Sequence, residues 1–209
     1  RRALEFALSA RNEKYETRMK DTVVVAGIGC SGNLVHLMAS PEQPFGIHGT
    51  HGRTLPMALG IKMANTALNV VIVAGDGDFL SIGAEHIGPQ AHRNLNVAAI
   101  IMVNGVYGLT KGQRSPTSDL GMKTSSTPYG NIEGPMNPLS HYMGLGVSFV
   151  ASHYSSKPRE LARLFEEAMD HRGFAIVHVQ SPCTTYNDNY QQLKGNPRQG
   201  IEPGVVELP

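Results

Sequence analysis

Apolar residues in this chain gather into short, almost unbroken runs instead of alternating with polar ones. The runs at 22–26, 69–74, 97–103, 148–151 and 174–179 are rich in Val, Ile and Ala, the pattern of strands covered on both faces. Between them the apolar spacing lengthens to three or four positions, which predicts helices over 55–67, 81–94 and 158–171. The last is the best specified. Ser155 or Ser156 can cap it, Pro158 suits its first turn, Leu161, Leu164, Phe165, Ala168 and Met169 form one stripe, and Gly173 follows its end. The opening RRALEFALSARNEK is also helical in pattern. Strands and helices in alternation predict an α/β fold, a mostly parallel sheet with helices on both faces, as a single domain over 1–209.

Two stretches break the alternation: 105–142, dense in Gly, Pro, Ser and Thr, and the tail 187–209. A long irregular segment inside a compact domain usually has a function. In open α/β sheets ligands bind at the carboxyl ends of strands, where such loops sit.

Composition narrows the choice of partner. Hydrophobic residues make up 41% and charged residues 17%, with a net charge of +1. That balance gives no electrostatic argument for a nucleic-acid or membrane partner, and the apolar runs are far too short to span a bilayer. Two cysteines beside nine methionines do not suggest a disulfide-stapled domain. No signal-peptide pattern opens the chain, so a reducing cytoplasm is the expected location. Arg1 stands directly inside a helical pattern, which leads us to expect residues ahead of it.

The first strand runs into a glycine turn, VVVAGIGCSG (23–32), with the G-x-G-x-x-G spacing of dinucleotide folds at Gly27, Gly29 and Gly32. The context only partly fits. The acidic residue such folds place about 20 positions on is missing from GIHGTHGR (46–53), and PEQP (41–44) cuts short the helix that should follow. A second strand ends in GDGD, carrying Asp76 and Asp78, and the next ends at Asn104. One helix and one strand separate Asp76 from Asn104, so both should emerge at the same sheet edge. A carboxylate, an amide oxygen and a nearby carbonyl are hard ligands suited to Mg²⁺ that a diphosphate also holds. Glycines beside them let backbone N–H groups approach phosphate oxygens. A pair of turn-forming residues after two strands is the alternative.

GDG followed one helix and one strand later by Asn resembles the diphosphate-binding motif of thiamine-diphosphate enzymes. The wider set is GIGCSG, HGTHGRTLPMALGIKMAN, GDGDFLSIGAEH, RNLNV, NGVYGLTKGQRSPTS and SPCTTYN. Together these resemble the β subunit of 2-oxoacid:ferredoxin oxidoreductases, over roughly 22–187. The resemblance implies a thiamine-diphosphate-binding fold, with Mg²⁺ held by the side chains of Asp76 and Asn104 and the carbonyl of Val106. It implies that Gly77 and Asp78 line the diphosphate and that Gly108, Leu109, Thr110, Lys111, Gly112 and Gln113 wrap the cofactor. Ile28, Gly29, Cys30 and Ser31 would face it from the first turn, and Gly49, Thr50, His51 and Gly52 from the second. Cys30 and Cys183 match two of the four thiolates that hold a 4Fe-4S cluster in that family; the other two lie in a C-x-x-C absent from this sequence.

The chemistry implied is attack of a thiazolium carbanion on a 2-oxo acid, loss of CO₂, one-electron oxidation through the cluster to ferredoxin, and acyl transfer to coenzyme A. The activating glutamate belongs to the partner α subunit in that family, so no general base is named in this chain, and Glu85 is expected on a helix surface. A cluster-free thiamine-dependent decarboxylase or synthase subunit, or a non-catalytic nucleotide-sensing module, would account for parts of the pattern.

Single residues carry competing readings. Cys30 and Cys183 could instead form a disulfide, or Cys30 could be a small buried apolar side chain. His48 and His51 lack a third ligand for zinc, and His51 is expected to position cofactor or substrate. Arg53 could pair with a substrate carboxylate or stand in an interface ion pair. The position of Asn33 is often basic in relatives; a neutral Asn33 gives less reason to expect a substrate with a distal carboxylate.

Overall fold

The computed structural model describes residues 1–38 and 42–204. In chain order its elements are α1 (Arg2–Tyr15), β1 (Thr22–Ala26), α2 (Leu34–Leu37), β2 (Phe45–His48), α3 (Thr54–Ala64), β3 (Asn69–Gly75), α4 (Ile87–Arg93) and β4 (Val97–Val103). There follow β5 (Val106–Tyr107), β6 (Gln113–Arg114), α5 (Pro138–Gly144), β7 (Phe149–Tyr154), α6 (Pro158–Asp170), β8 (Phe174–Gln180) and α7 (Tyr190–Lys194). Six strands form one sheet in the order β2-β1-β3-β4-β8-β7, and every neighbouring pair is parallel. The short β5 and β6 pair separately as an antiparallel hairpin.

Side-chain alternation divides each central strand between two cores. Val23, Val25, Ile72, Ile101 and Ile176 pack with Leu55 and Ala58 of α3 and Ile87 and Ala91 of α4. Val24, Val71, Val73, Ile100 and Val177 face Leu4 and Leu8 of α1 and Leu161, Phe165, Ala168 and Met169 of α6. Both faces are covered, which is why these strands read as continuous apolar runs. Each large side chain so buried contributes about 2 kcal/mol. Among the described residues no helix is long and apolar enough to cross a membrane.

The differences from the sequence expectation have local causes. Strand β2 was missed because all four of its residues are exposed on the sheet edge, so it carries no apolar run. The helix expected over 81–94 is broken: a π-turn at Asp78–Ile82 and a 3₁₀ turn at Ala84–His86 precede α4. Gly83 marks the break, its N–H donating to the Asp78 carbonyl. Neither Ser155 nor Ser156 caps α6; Lys157 is the N-cap residue and supplies no side-chain cap bond. The irregular 105–142 holds the β5–β6 hairpin and α5, and the tail holds α7. Pro41 of the PEQP break and 205–209 of the tail lie outside the described residues.

His178 of β8 is 2% exposed, and its Nδ1 finds no hydrogen-bond partner among the described residues. Burial lowers its pKa from 6.5 to about 4. The unfolded chain therefore binds more protons below pH 6.5, and stability is lost as pH falls from 6.5 toward 4. Urea unfolding of the full-length protein should lose roughly 2 kcal/mol from this group between pH 7.5 and pH 5, and His178→Gln should remove that part of the slope.

Candidate functional site

A cleft opens at the carboxyl ends of β1, β3 and β4. It is lined by Ile28, Gly29, Cys30 and Ser31 after β1, by His51 after β2, by Gly75 at the end of β3 and Asp76, Gly77 and Asp78 after it, and by Asn104, Val106, Tyr107, Gly108, Leu109 and Thr110 after β4. The parallel topology brings these turns to one edge, as the alternation of elements predicts.

Asp78 ties the turns together. Its Oδ1 accepts from Gly52 N at 2.7 Å, Ile28 N at 3.2 Å and His51 Nδ1 at 2.5 Å, and the residue is 2% exposed. One carboxylate thus clamps the first and second turns and orients His51. Gly27 makes room for it, because a Cβ there would overlap the Asp78 carboxylate. This glycine of the dinucleotide-like spacing therefore admits an internal side chain. Asp78 lines the cleft, but half of its carboxylate is occupied by the fold.

Asp76 behaves differently. It is 1% exposed, and its Oδ2 accepts from Ser115 Oγ at 2.5 Å and Thr117 Oγ1 at 2.6 Å. Burial raises its pKa above the ordinary carboxylate value, opposed by those hydroxyls and by the backbone amides of Asn104 and of Asp76 itself. Among the described residues no Lys, Arg or His forms an ion pair with it. A buried carboxylate without a protein cation fits a metal ion. Asn104 stands across the same cleft; its Oδ1 accepts from Val106 N at 3.0 Å, and an amide oxygen keeps a second lone pair. No three His, Cys, Asp or Glu side chains converge among the described residues, so a cation here would need amide, carbonyl, water or phosphate oxygens as well.

The two cysteines meet at the same place. Both thiols are free, and a Cβ on Gly108 would lie 3.4 Å from Cys30 Sγ and 3.8 Å from Cys183 Sγ. Both thiols thus come close to Gly108, a lining residue of the cleft; Cys30 lines the cleft itself, and Cys183 is not among its lining residues. Cys183 is held by its bridge with Asn187, whose Nδ2 donates to the Asn104 carbonyl at 2.9 Å. The tail is thereby fastened to the turn after β4.

Gly49, Thr50, Gly52, Lys111, Gly112 and Gln113 do not line the cleft. Gly52 acts through its amide on Asp78. Gln113 braces the loop, exchanging 2.6 Å bonds with the hydroxyl and carbonyl of Thr110, while Lys111 is exposed at φ 77°. Arg53 donates to the Gly52 and Ile82 carbonyls and pairs with Glu85 at 3.2 Å, an ion pair within the chain. Glu85 is exposed, as expected. His48 contacts the Gly27 carbonyl and His36. Sequence reasoning missed Gly75, Ser115, Thr117 and Tyr107, whose hydroxyl donates to the Gly77 carbonyl. All four lie in motifs that carry the resemblance, Gly75 in GDGDFLSIGAEH and the other three in NGVYGLTKGQRSPTS, which assign them no role.

Residues 27–179 match the family profile of the thiamine pyrophosphate enzyme, C-terminal TPP binding domain. The fold and cleft thus define a thiamine-pyrophosphate-binding α/β domain. The β subunit of 2-oxoacid:ferredoxin oxidoreductase from Saccharolobus solfataricus is 45% identical over 169 residues, covering 81% of this chain and 55% of that one. The 2-oxoglutarate synthase subunit KorB of Archaeoglobus fulgidus is 40% identical over 192 residues, covering 90% of this chain and 70% of that one. The solved 2-oxoglutarate:ferredoxin oxidoreductase of Magnetococcus marinus, with 2-oxoglutarate, coenzyme A and succinyl-CoA bound, superposes with a TM-score of 0.83 at 36% identity, covering 91% of this chain and 66% of that one. The chain belongs to the β-subunit family of 2-oxoacid:ferredoxin oxidoreductases. It spans about half the length of several curated relatives it matches.

Proposed function

We propose that this chain, paired with an α subunit, carries out oxidative decarboxylation of a 2-oxo acid to an acyl-CoA and CO₂, passing electrons through a 4Fe-4S cluster to ferredoxin. The observation that carries the reading is one cleft that holds Asp76, a buried carboxylate in no ion pair among the described residues, together with Cys30, whose free thiol and that of Cys183 both come close to the cleft residue Gly108. Thiamine diphosphate, when bound, supplies the electron sink for the carbon that loses CO₂. In this chain Asp76 and Asn104, with the Val106 carbonyl, would hold its Mg²⁺. Gly29 and Gly77 would let the backbone close on the diphosphate, and His51, oriented by Asp78, would face the cofactor. Cys30 and Cys183 would give a cluster two of its four ligands, the others coming from outside this sequence. Free thiols suit a reducing cytoplasm. The general base would come from the α subunit.

Relatives named for 2-oxoglutarate point to that substrate, while the neutral, exposed Asn33 offers no charge for a distal carboxylate. A substrate panel decides between them. The full-length protein, co-expressed with its α subunit and purified without oxygen, should show broad visible absorbance that a reductant bleaches. It should also reduce a viologen dye when given thiamine diphosphate, coenzyme A and the right 2-oxo acid. Cys183→Ser should remove the absorbance. Decarboxylation without absorbance would establish the cluster-free subunit instead.

A further inference from the structure

The SPTS segment at 115–118 has no part in the reading above, yet its three hydroxyls reach both turns that carry the cation-binding residues. Ser115 Oγ and Thr117 Oγ1 both donate to Oδ2 of Asp76, and they lie 3.2 Å from each other. Ser118 Oγ donates to the Gly105 carbonyl at 2.5 Å and accepts from Ser115 N at 2.8 Å. Asn131 Nδ2 holds the Ser118 carbonyl from behind at 3.1 Å. Ser115, Ser118 and Asn131 are each no more than 3% exposed.

We propose that Ser115 and Thr117 are positioning residues for the cation, fixing the Asp76 carboxylate in one orientation while Ser118 fixes the Asn104–Gly105 turn opposite. The proposal rests on the reading that Asp76 is a Mg²⁺ ligand. With both hydroxyls on one oxygen, the carboxylate cannot rotate without breaking two charge-assisted bonds. Its other oxygen is thereby assigned to the cleft. The two turns come from different strands, and the 115–118 loop joins them through side chains alone. Removing partners of this kind from a metal ligand typically costs 10–100-fold in affinity.

The test is Mn²⁺ binding, read by electron paramagnetic resonance, in the full-length protein co-expressed with its α subunit and loaded with thiamine diphosphate. Ser115→Ala and Thr117→Val should each weaken Mn²⁺ binding about tenfold, and the pair of substitutions more than either. Ser115→Thr and Thr117→Ser should restore it to within about twofold, since each keeps the hydroxyl. At saturating cation the turnover number should stay near that of the unmodified enzyme, because the residues act on affinity. Thr117 is only partly buried, so its variant remains measurable if Ser115→Ala fails to fold. Unchanged Mn²⁺ affinity in Thr117→Val, with binding lost in Asp76→Asn, would overturn the positioning role and leave the cofactor reading standing. Unchanged binding in Asp76→Asn would overturn the cofactor reading itself.

Discussion

Asp78→Ala should unfold the cleft before it affects any chemistry. The substitution strands the buried amide of Gly52, the amide of Ile28 and the His51 ring, all of which donate to Asp78 Oδ1. Losing a buried, charged acceptor with three donors costs about 3 kcal/mol, a fall in Tm of roughly 6–12 °C for a domain of this size. Gly27→Ala should reach the same end from the other side, since its Cβ would displace the Asp78 carboxylate. Thermal unfolding of the full-length protein without cofactor measures both. A Tm within 2 °C of the unmodified protein for Asp78→Ala would mean that the two turns are held by something else.

Asp76→Asn should do the opposite. Two positions away in sequence, Asp76 is buried with no cationic side chain paired to it among the described residues, and burial penalises its charge. An asparagine keeps an oxygen for Ser115 and Thr117 while removing the charge, so the cofactor-free protein should be at least as stable as before. Mg²⁺ and thiamine diphosphate at about a hundred times their dissociation constant stabilise a binding protein by about 2.7 kcal/mol, or roughly 5–10 °C. The variant should lose that rise and all turnover. A site shaped for stability would show the reverse: lower Tm without cofactor and an intact rise with it.

The contrast between these two aspartates marks the limit of the sequence. The resemblance gives Asp76 to Mg²⁺ and Asp78 to the diphosphate, but nothing local in GDGD shows that Asp78 clamps two turns of the fold. What separates them is which turns reach them: the Gly27 turn and Gly52 amide come to Asp78, and the Ser115 and Thr117 hydroxyls to Asp76. Both pairings join residues more than twenty positions apart. The central strands were legible because burial on both faces leaves an unbroken apolar run, and β2 was not because an exposed edge leaves none. Helix α6 was legible through its stripe, while the helix expected over 81–94 breaks at Gly83, where a π-turn ends and a 3₁₀ turn begins. Cys30 and Asn104 were legible through motif resemblance. That both thiols come close to Gly108 needed coordinates, because it depends on how the tail folds back through Asn187.

In the proposed function this cleft takes thiamine diphosphate through a cation on Asp76. Calorimetric titration of thiamine diphosphate into the cofactor-free full-length protein, assembled with its α subunit, tests it most directly. With Mg²⁺ present, thiamine diphosphate should titrate to one site per β chain, abolished by EDTA and by Asp76→Asn. Heat on adding NAD or ATP, with none on adding thiamine diphosphate and Mg²⁺, would contradict it.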